Sequence, residues 1–335
     1  SWSWSGYDSP TADGHAQGNT LTPAWSPAEG ATYAYDLLGH SLPVVCLVAF
    51  DDGRLASGGF DCSVRIWDIS TMDGPGTCSD AEADERVPMQ RVISAHTACV
   101  TCLCANKSFL WSGSVDRTIK CYDISVPGTI SRVSSLIGHK ADVSALAANA
   151  RHLFSAGLDG HILVWDILSN KCIYRLFHSS DGITSLALHH HHHYLFSVGG
   201  NTLTRWNLQG LLPEQIDPIS SPNHSPPLLS LSSVETIHPT RPTSAEPGSI
   251  SMSPDRMLQK ACRGRPYAVV VGSGCVFVGS WSMAACEGIQ ILCEHTLNPL
   301  GMGLVHAGPI ISMTYLRNML YSTAKDGSLV VWKHE

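Results

Sequence analysis

Residues 138 to 166, GHKADVSALAANARHLFSAGLDGHILVWD, carry a pattern that returns along the chain and constrains what the rest can become. The stretch opens on Gly138 and His139, runs through alternating apolar Val143, Ala145 and Ala147, turns, and continues from His152 to Trp165 and Asp166. Short alternating runs bounded by turn residues predict three β-strands. Asp159-Gly160 predicts a two-residue hairpin between the second and third, because such a turn needs positive φ, which Asp and Gly tolerate. A twisted antiparallel sheet is expected to bring His139, Ser155, Asp159 and Trp165 together. Once buried, a ring nitrogen, a hydroxyl, a carboxylate and an indole N–H can satisfy one another.

The same register recurs at His40, Ser57, Asp61, Trp67 and Asp68, and again at His96, Ser112, Asp116, Tyr122 and Asp123, where Tyr replaces Trp. It closes the chain at His306, Ser322, Asp326 and Trp332. From His to Ser the step is 16 residues in three of these four repeats and 17 in the first, where Asp51-Asp52-Gly53 lengthens the turn. Two further repeats are degenerate. Ile183 to Asn207 keeps Ser197 and Trp206 but has no Asp, and Pro266 to Cys293 keeps only strand alternation and the step Val278-Gly279-Ser280. In the latter, apolar burial must replace the polar network.

Gly-His, Ser-Gly, an Asp turn and Trp-Asp at these offsets resemble the marks of the WD-repeat family, whose repeat runs about 40 to 45 residues. The resemblance covers residues 31 to 335 less an insertion. It implies an all-β fold, a WD-repeat β-propeller of four-stranded antiparallel blades. Six repeats are visible, and a seventh blade stays open only if the N-terminal stretch or the insertion supplies one without a family mark. The chain stops three residues after Trp332, so the last repeat lacks a fourth strand of its own. The alternating segment 31 to 38, ATYAYDLL, is expected to complete it, closing the ring and removing an open sheet edge.

Other stretches stand apart from the repeats. Residues 1 to 30 are rich in Ser, Gly and Pro and read as a flexible extension; Ser1 in place of Met suggests a piece of a longer chain. Trp2, Trp4 and Trp25 there either form a short linear motif or pack on the propeller. Residues 71 to 86 form an acidic loop on one rim, a solvated flap or a dock for a basic partner. Residues 210 to 262 read as a Ser/Pro-rich insertion in which Ser221, Ser225 and Ser253 each precede Pro and suit proline-directed phosphorylation. The run His189 to His193 lengthens a turn of the fourth repeat by two residues.

Several function classes are disfavoured. A net charge of −7 and a pI near 6.2 argue against a broad basic face for nucleic acid. No apolar run suits a signal peptide or membrane span. The 12 cysteines follow no disulfide framework, which fits a reducing, intracellular compartment, cytoplasmic or nuclear. His96, Cys99, Cys102 and Cys104 resemble a zinc set in spacing, but His96 belongs to the repeat network and Cys102 and Cys104 alternate on an inner strand. No metal or cofactor is therefore expected. Every recurring Ser, His and Asp is part of the repeat, and no nucleophile elbow or phosphate-cradling loop stands apart, so no catalysis is expected.

The family resemblance implies a rigid platform that binds other proteins or peptides on its rim. By that analogy the contact residues flank the turn Asp on the top face: Phe60, Val115, Arg117, Leu158, His161 and Lys325. A structural subunit of a ribonucleoprotein or cytoskeletal assembly, or the substrate-recognition part of a ubiquitin-ligase or signalling protein, are the alternative readings.

Overall fold

A computed structural model describes residues 2–3, 37, 39–50, 53–68, 89–126, 130–189, 194–209, 257–262, 264–281, 288–303, 306, 308–316, 318–325 and 328–334. The expected segments 4–36, 71–86, 190–193 and 210–256 lie outside these residues, as do Leu38 and Asp326.

The described strands form six four-stranded antiparallel sheets, the blades of a propeller. A two-residue strand β1 (Trp2–Ser3) comes first and pairs with the last strand of the chain. Blade one holds β2 (Val44–Ala49), β3 (Arg54–Gly59), β4 (Ser63–Asp68) and β5 (Met89–Ser94). Blade two holds β6 (Val100–Ala105), β7 (Phe109–Ser114), β8 (Thr118–Asp123) and β9 (Ser131–Ile137). Blade three holds β10 (Val143–Ala148), β11 (His152–Gly157), β12 (His161–Asp166) and β13 (Lys171–Phe177). Blade four holds β14 (Ser185–Leu188), β15 (Tyr194–Gly199), β16 (Thr202–Asn207) and β17 (Met257–Ala261). Blade five holds β18 (Arg265–Gly272), β19 (Cys275–Trp281), β20 (Ile289–Cys293) and β21 (Pro299–Gly303). Blade six holds β22 (Ile310–Leu316), β23 (Met319–Ala324) and β24 (Leu329–His334), with β1 at its outer edge.

Three sequence expectations change. The strand expected over 31 to 38 falls almost wholly outside the described residues, Leu37 is in no strand, and Trp2–Ser3 is what lies beside β24. The insertion ends earlier than 262, because Met257–Ala261 pairs with β16 as the outer strand of blade four. Five residues without turn signals suffice for an outer strand, and the Ser/Pro composition before them hid it. The turn at Asp159 is also not a two-residue hairpin. Gly160 N–H closes onto Gly157 O, Gly160 alone takes positive φ at 75°, and the loop is Leu158-Asp159-Gly160. A type I turn followed by one left-handed residue matches the strand twist just as well. It also explains why Cys62 and Arg117 fill the left-handed position in blades one and two, at φ 62° and 68°.

Neighbouring blades meet face to face through apolar clusters. Val100 of β6 sits over Gly58 of blade one, and Val143 of β10 over Gly113 of blade two. Each such seam excludes water over a small residue that lets the sheets approach closely. Hydroxyls add a second link: Thr101, Ser144 and Thr184, at or beside the inner-strand bulges, donate to the carbonyls of Val143, Ile183 and Pro266 in the next blade.

Candidate functional site

The predicted four-residue set meets in blade three. His139 Nε2 lies 2.8 Å from Ser155 Oγ, Trp165 Nε1 donates to the same oxygen at 2.9 Å, and His139 Nδ1 faces the Asp159 carboxylate at 3.1 Å. Blade one repeats this with His40, Ser57, Asp61 and Trp67, each contact at 2.8 Å. In blade two His96 lies 2.8 Å from both Ser112 Oγ and Asp116 Oδ2. Tyr122 is buried at the Trp position beside Ser112, but its hydroxyl makes no well-formed hydrogen bond. In blade six His306 Nε2 lies 2.7 Å from Ser322 Oγ, Trp332 Nε1 donates to that oxygen, and Ser328 Oγ meets Nδ1. Asp326 is not among the described residues.

Each turn carboxylate also organises its own loop. Asp159 accepts the backbone N–H groups of Lys140 and His161, and Asp116 those of Thr97 and Thr118. Burial alone would raise these carboxyls. Hydrogen bonds from Ser63, His40 and Ser41 outweigh it at Asp61, and those from Thr118, Thr97 and His96 do so at Asp116; both are held at about 2. At Asp159 burial is likewise outweighed, by His139 and Lys140 foremost, and the pKa is again about 2. Burial pushes His96 below its ordinary 6.5, so its neutral ring suits the network.

Sequence reading missed one member. His178 is buried in blade four, with Nδ1 2.8 Å from Ser197 Oγ and Nε2 3.1 Å from Thr202 Oγ1, while Trp206 Nε1 donates to Ser197. Thr202 opens its strand as Ser63 and Thr118 open theirs, and its hydroxyl meets the second ring nitrogen, which in blades one to three faces a carboxylate. The only sequence signal was Phe177-His178 at the right distance from the first strand, blurred because the histidine run stretches the His-to-Ser step to 19 residues.

These networks fix one rim of the molecule. The residues preceding the turn Asp donate in register to the loop before the inner strand: Phe60 N–H to Pro43 O, Val115 to Cys99 O, Leu158 to Asp142 O, and Lys325 to Pro309 O. The backbone is pinned and the side chains project outward. Phe60 is 54%, Leu158 47% and Val115 37% exposed, so three consecutive blades present an apolar group at one level. Arg117 and Lys325 are exposed beside them. His161 differs: it is half-buried, its Nδ1 donates to Asp159 O, and its ring packs against Phe177.

Burial pushes Cys102 and Cys104 up to about 12, so both behave as small apolar groups. Among the described residues no three His, Cys, Asp or Glu side chains are placed to hold a metal ion. No described helix is long and apolar enough to cross a membrane.

Comparison with known proteins places these repeats. Residues 32–68, 88–123, 130–166 and 170–207 match the family described as WD domain, G-beta repeat. Mitochondrial division protein 1 of Schizosaccharomyces pombe is 36% identical over 107 residues, which span 30% of this chain and 16% of that protein. Regulator of rDNA transcription protein 13 of Saccharomyces cerevisiae is 31% identical over 96 residues, 27% of this chain and 51% of that protein. Among solved structures, a chain in a mitotic checkpoint complex superposes with a TM-score of 0.64 at 17% identity, covering 88% of this chain and 76% of that one. U3-55K gives 0.61 at 16% identity, covering 89% and 79%. At such identities the structural likeness speaks for the fold alone. Repeat register, blade geometry and these matches agree: the chain belongs to the WD-repeat β-propeller family.

Proposed function

We propose that this chain is a non-catalytic platform for protein–protein interaction whose contact surface is the turn rim bearing Phe60, Val115, Arg117, Leu158 and Lys325. The observation that supports it is the repeated backbone hydrogen bond that holds three apolar side chains, from consecutive blades, out of the core at one level. Exposed apolar groups flanked by Arg and Lys, on a backbone that does not have to reorder, are what a protein anchor requires. His161 orients its own turn and is a lesser contact. We place the protein inside the cell, in keeping with ten described cysteines that are all free. The relatives' names point to unlike processes, mitochondrial division and rDNA transcription, so the family does not choose the partner.

The test is affinity capture from a cell lysate with the wild-type chain, Phe60→Asp and Leu158→Asp, read by quantitative mass spectrometry. Both side chains are exposed, so both variants should melt with the wild type. Proteins depleted by either change would be rim partners. An identical set captured by all three forms would remove the rim as the contact surface.

A further inference from the structure

Each inner strand starts beside the turn rim and runs away from it, so the hairpins joining β2 to β3, β6 to β7 and β10 to β11 end on the opposite face. Between their tips, in blades one, two and three, lies a cavity of about 650 Å³. Phe50, Ile124 and three alanines form its apolar wall. That volume suits a short peptide segment.

The polar side of the cavity is built from donors. Asn106 and Asn149 hold matching positions in blades two and three, where their backbone N–H groups close the hairpins onto Phe109 O and His152 O. Each side chain is also fixed by its own hairpin. Asn106 Oδ1 accepts the backbone N–H groups of Ser108 and Phe109, and Asn149 Oδ1 those of Arg151 and His152. Two donors on one oxygen settle which end of each amide is nitrogen and turn that end away from the hairpin backbone. Both asparagines line the cavity, and neither amide nitrogen has a hydrogen-bond partner among the described residues, although Asn149 is only 8% exposed. Such a donor is expected to meet an acceptor.

Two cations stand at the same cavity. The Arg54 guanidinium lies 5.3 Å from the centre of the Phe50 ring and donates from Nη2 to Ile124 O at 3.2 Å, which holds it in place. Lys107 is exposed at the tip of its hairpin. The Ser108 hydroxyl can donate or accept, and no acidic side chain of the described residues lines the cavity; Asp51 and Asp52 lie outside them.

We propose that this cavity binds a peptide by a carboxylate, with the Asn106 and Asn149 amides as donors, Arg54 and Lys107 as countercharge, and the Phe50 and Ile124 wall against a neighbouring apolar side chain. A carboxylate is planar and accepts only, so it can use both amides and a cation at once. The C-terminal residue of a peptide and an internal Asp or Glu beside an apolar residue both offer this chemistry. The site lies on the face opposite the turn rim and is independent of the function proposed for that rim.

The test is affinity selection on the immobilised full chain with two pools of random N-acetylated hexapeptides, one with free and one with amidated C-termini, read by mass spectrometry. The expected result is retention of peptides that carry a carboxylate next to an apolar side chain. Enrichment across the free pool assigns the chain terminus, and enrichment of Asp or Glu in the amidated pool assigns the side chain. Asn149→Asp keeps the oxygen that caps the hairpin and replaces the donor with an anionic acceptor, so it should melt with the wild type and weaken retention by about tenfold or more. Leu158→Asp, on the rim, should leave retention unchanged. If Asn149→Asp melts early, Asn106→Asp and Lys107→Glu, at more exposed positions, take its place. Retention without preference for a carboxylate, or a preference that survives these changes, would overturn the proposal. So would a photo-crosslinker at position 107 that reacts within the same chain, since the cavity would then be filled from within.

Discussion

His139 Nε2 and Ser155 Oγ lie 2.8 Å apart with both side chains buried, and with a neutral ring their donor capacities leave the protons one arrangement. The Trp165 indole only donates, so Ser155 Oγ accepts from it and gives its own proton to His139 Nε2. Nδ1 then carries the ring proton and donates to Asp159. A directed chain from Trp to Ser to His to Asp ties β12, β11, the loop before β10 and the turn together.

Removing the hub should therefore cost more where the chain is complete. Ser155→Ala leaves both the Trp165 N–H and His139 Nε2 unpaired, a loss of about 2 to 4 kcal/mol at the usual cost of a buried orphan. Ser112→Ala, in the blade where Tyr122 makes no such donation, should cost about 1 kcal/mol less. Denaturant unfolding of the two variants decides it; equal losses would mean that the indole bond adds nothing.

How much of this the sequence disclosed follows from the physics of each mark. Asp61, Asp116 and Asp159 were legible because one residue type does three jobs at one place: it starts the turn, caps the loop and accepts from His. His178 was not, since Thr202 can replace the carboxylate once the ring is turned so that Nδ1 meets Ser197. Blade five was legible as strands but not as a network, because Phe277, Val276 and Val278 hold it by burial, which leaves alternation and no polar signature. Outer strands such as Met257–Ala261 were hardest. They are half exposed, short, and follow connections of any composition. The exposure of Val44 and Leu47 in blade one was also hidden, because both look like core until their neighbours are placed.

Close approach of blades gives a second prediction. A Cβ on Gly113 would stand 2.6 Å from Cys102 Sγ and 2.7 Å from Val143 Cγ1, inside the seam between blades two and three. Gly113→Ala should lower stability by about 1 to 3 kcal/mol, as overpacking of a sealed core does. Gly301→Ala on an outer strand meets only Ile291 Cδ1 at 3.9 Å, and should be neutral or slightly stabilising. If thermal melts rank the two the other way, the seam is softer than its geometry implies.

Acid should weaken the fold in two stages. His96 and His178 are pushed below their ordinary 6.5 by burial, so the unfolded chain binds protons first. Their contribution is complete above pH 6.5 and is lost as pH falls from there through their folded values. The carboxyls of Asp61, Asp116 and Asp159 are held at about 2 against an ordinary 3.8, so their contribution persists above 3.8 and is lost as pH falls toward 2. Melting temperature should be flat from about pH 8 to 7, fall below about 6.5, and fall further below about 4. A melting temperature that rises between pH 7 and 5 would contradict neutral, buried His96 and His178.

Val44 and Val100 offer the sharpest comparison, because the same residue type in the same register is half exposed in one blade and fully buried in the next. Val100→Ala removes two methyl groups from a seam closed over Gly58, and should cost about 2 kcal/mol from lost transfer energy and the cavity left behind. Val44→Ala removes the same atoms from a face that water already reaches, so the change in stability should stay within about 0.5 kcal/mol. Equilibrium unfolding in urea measures both on one scale. Equal losses would mean that Val44 is packed by the chain itself.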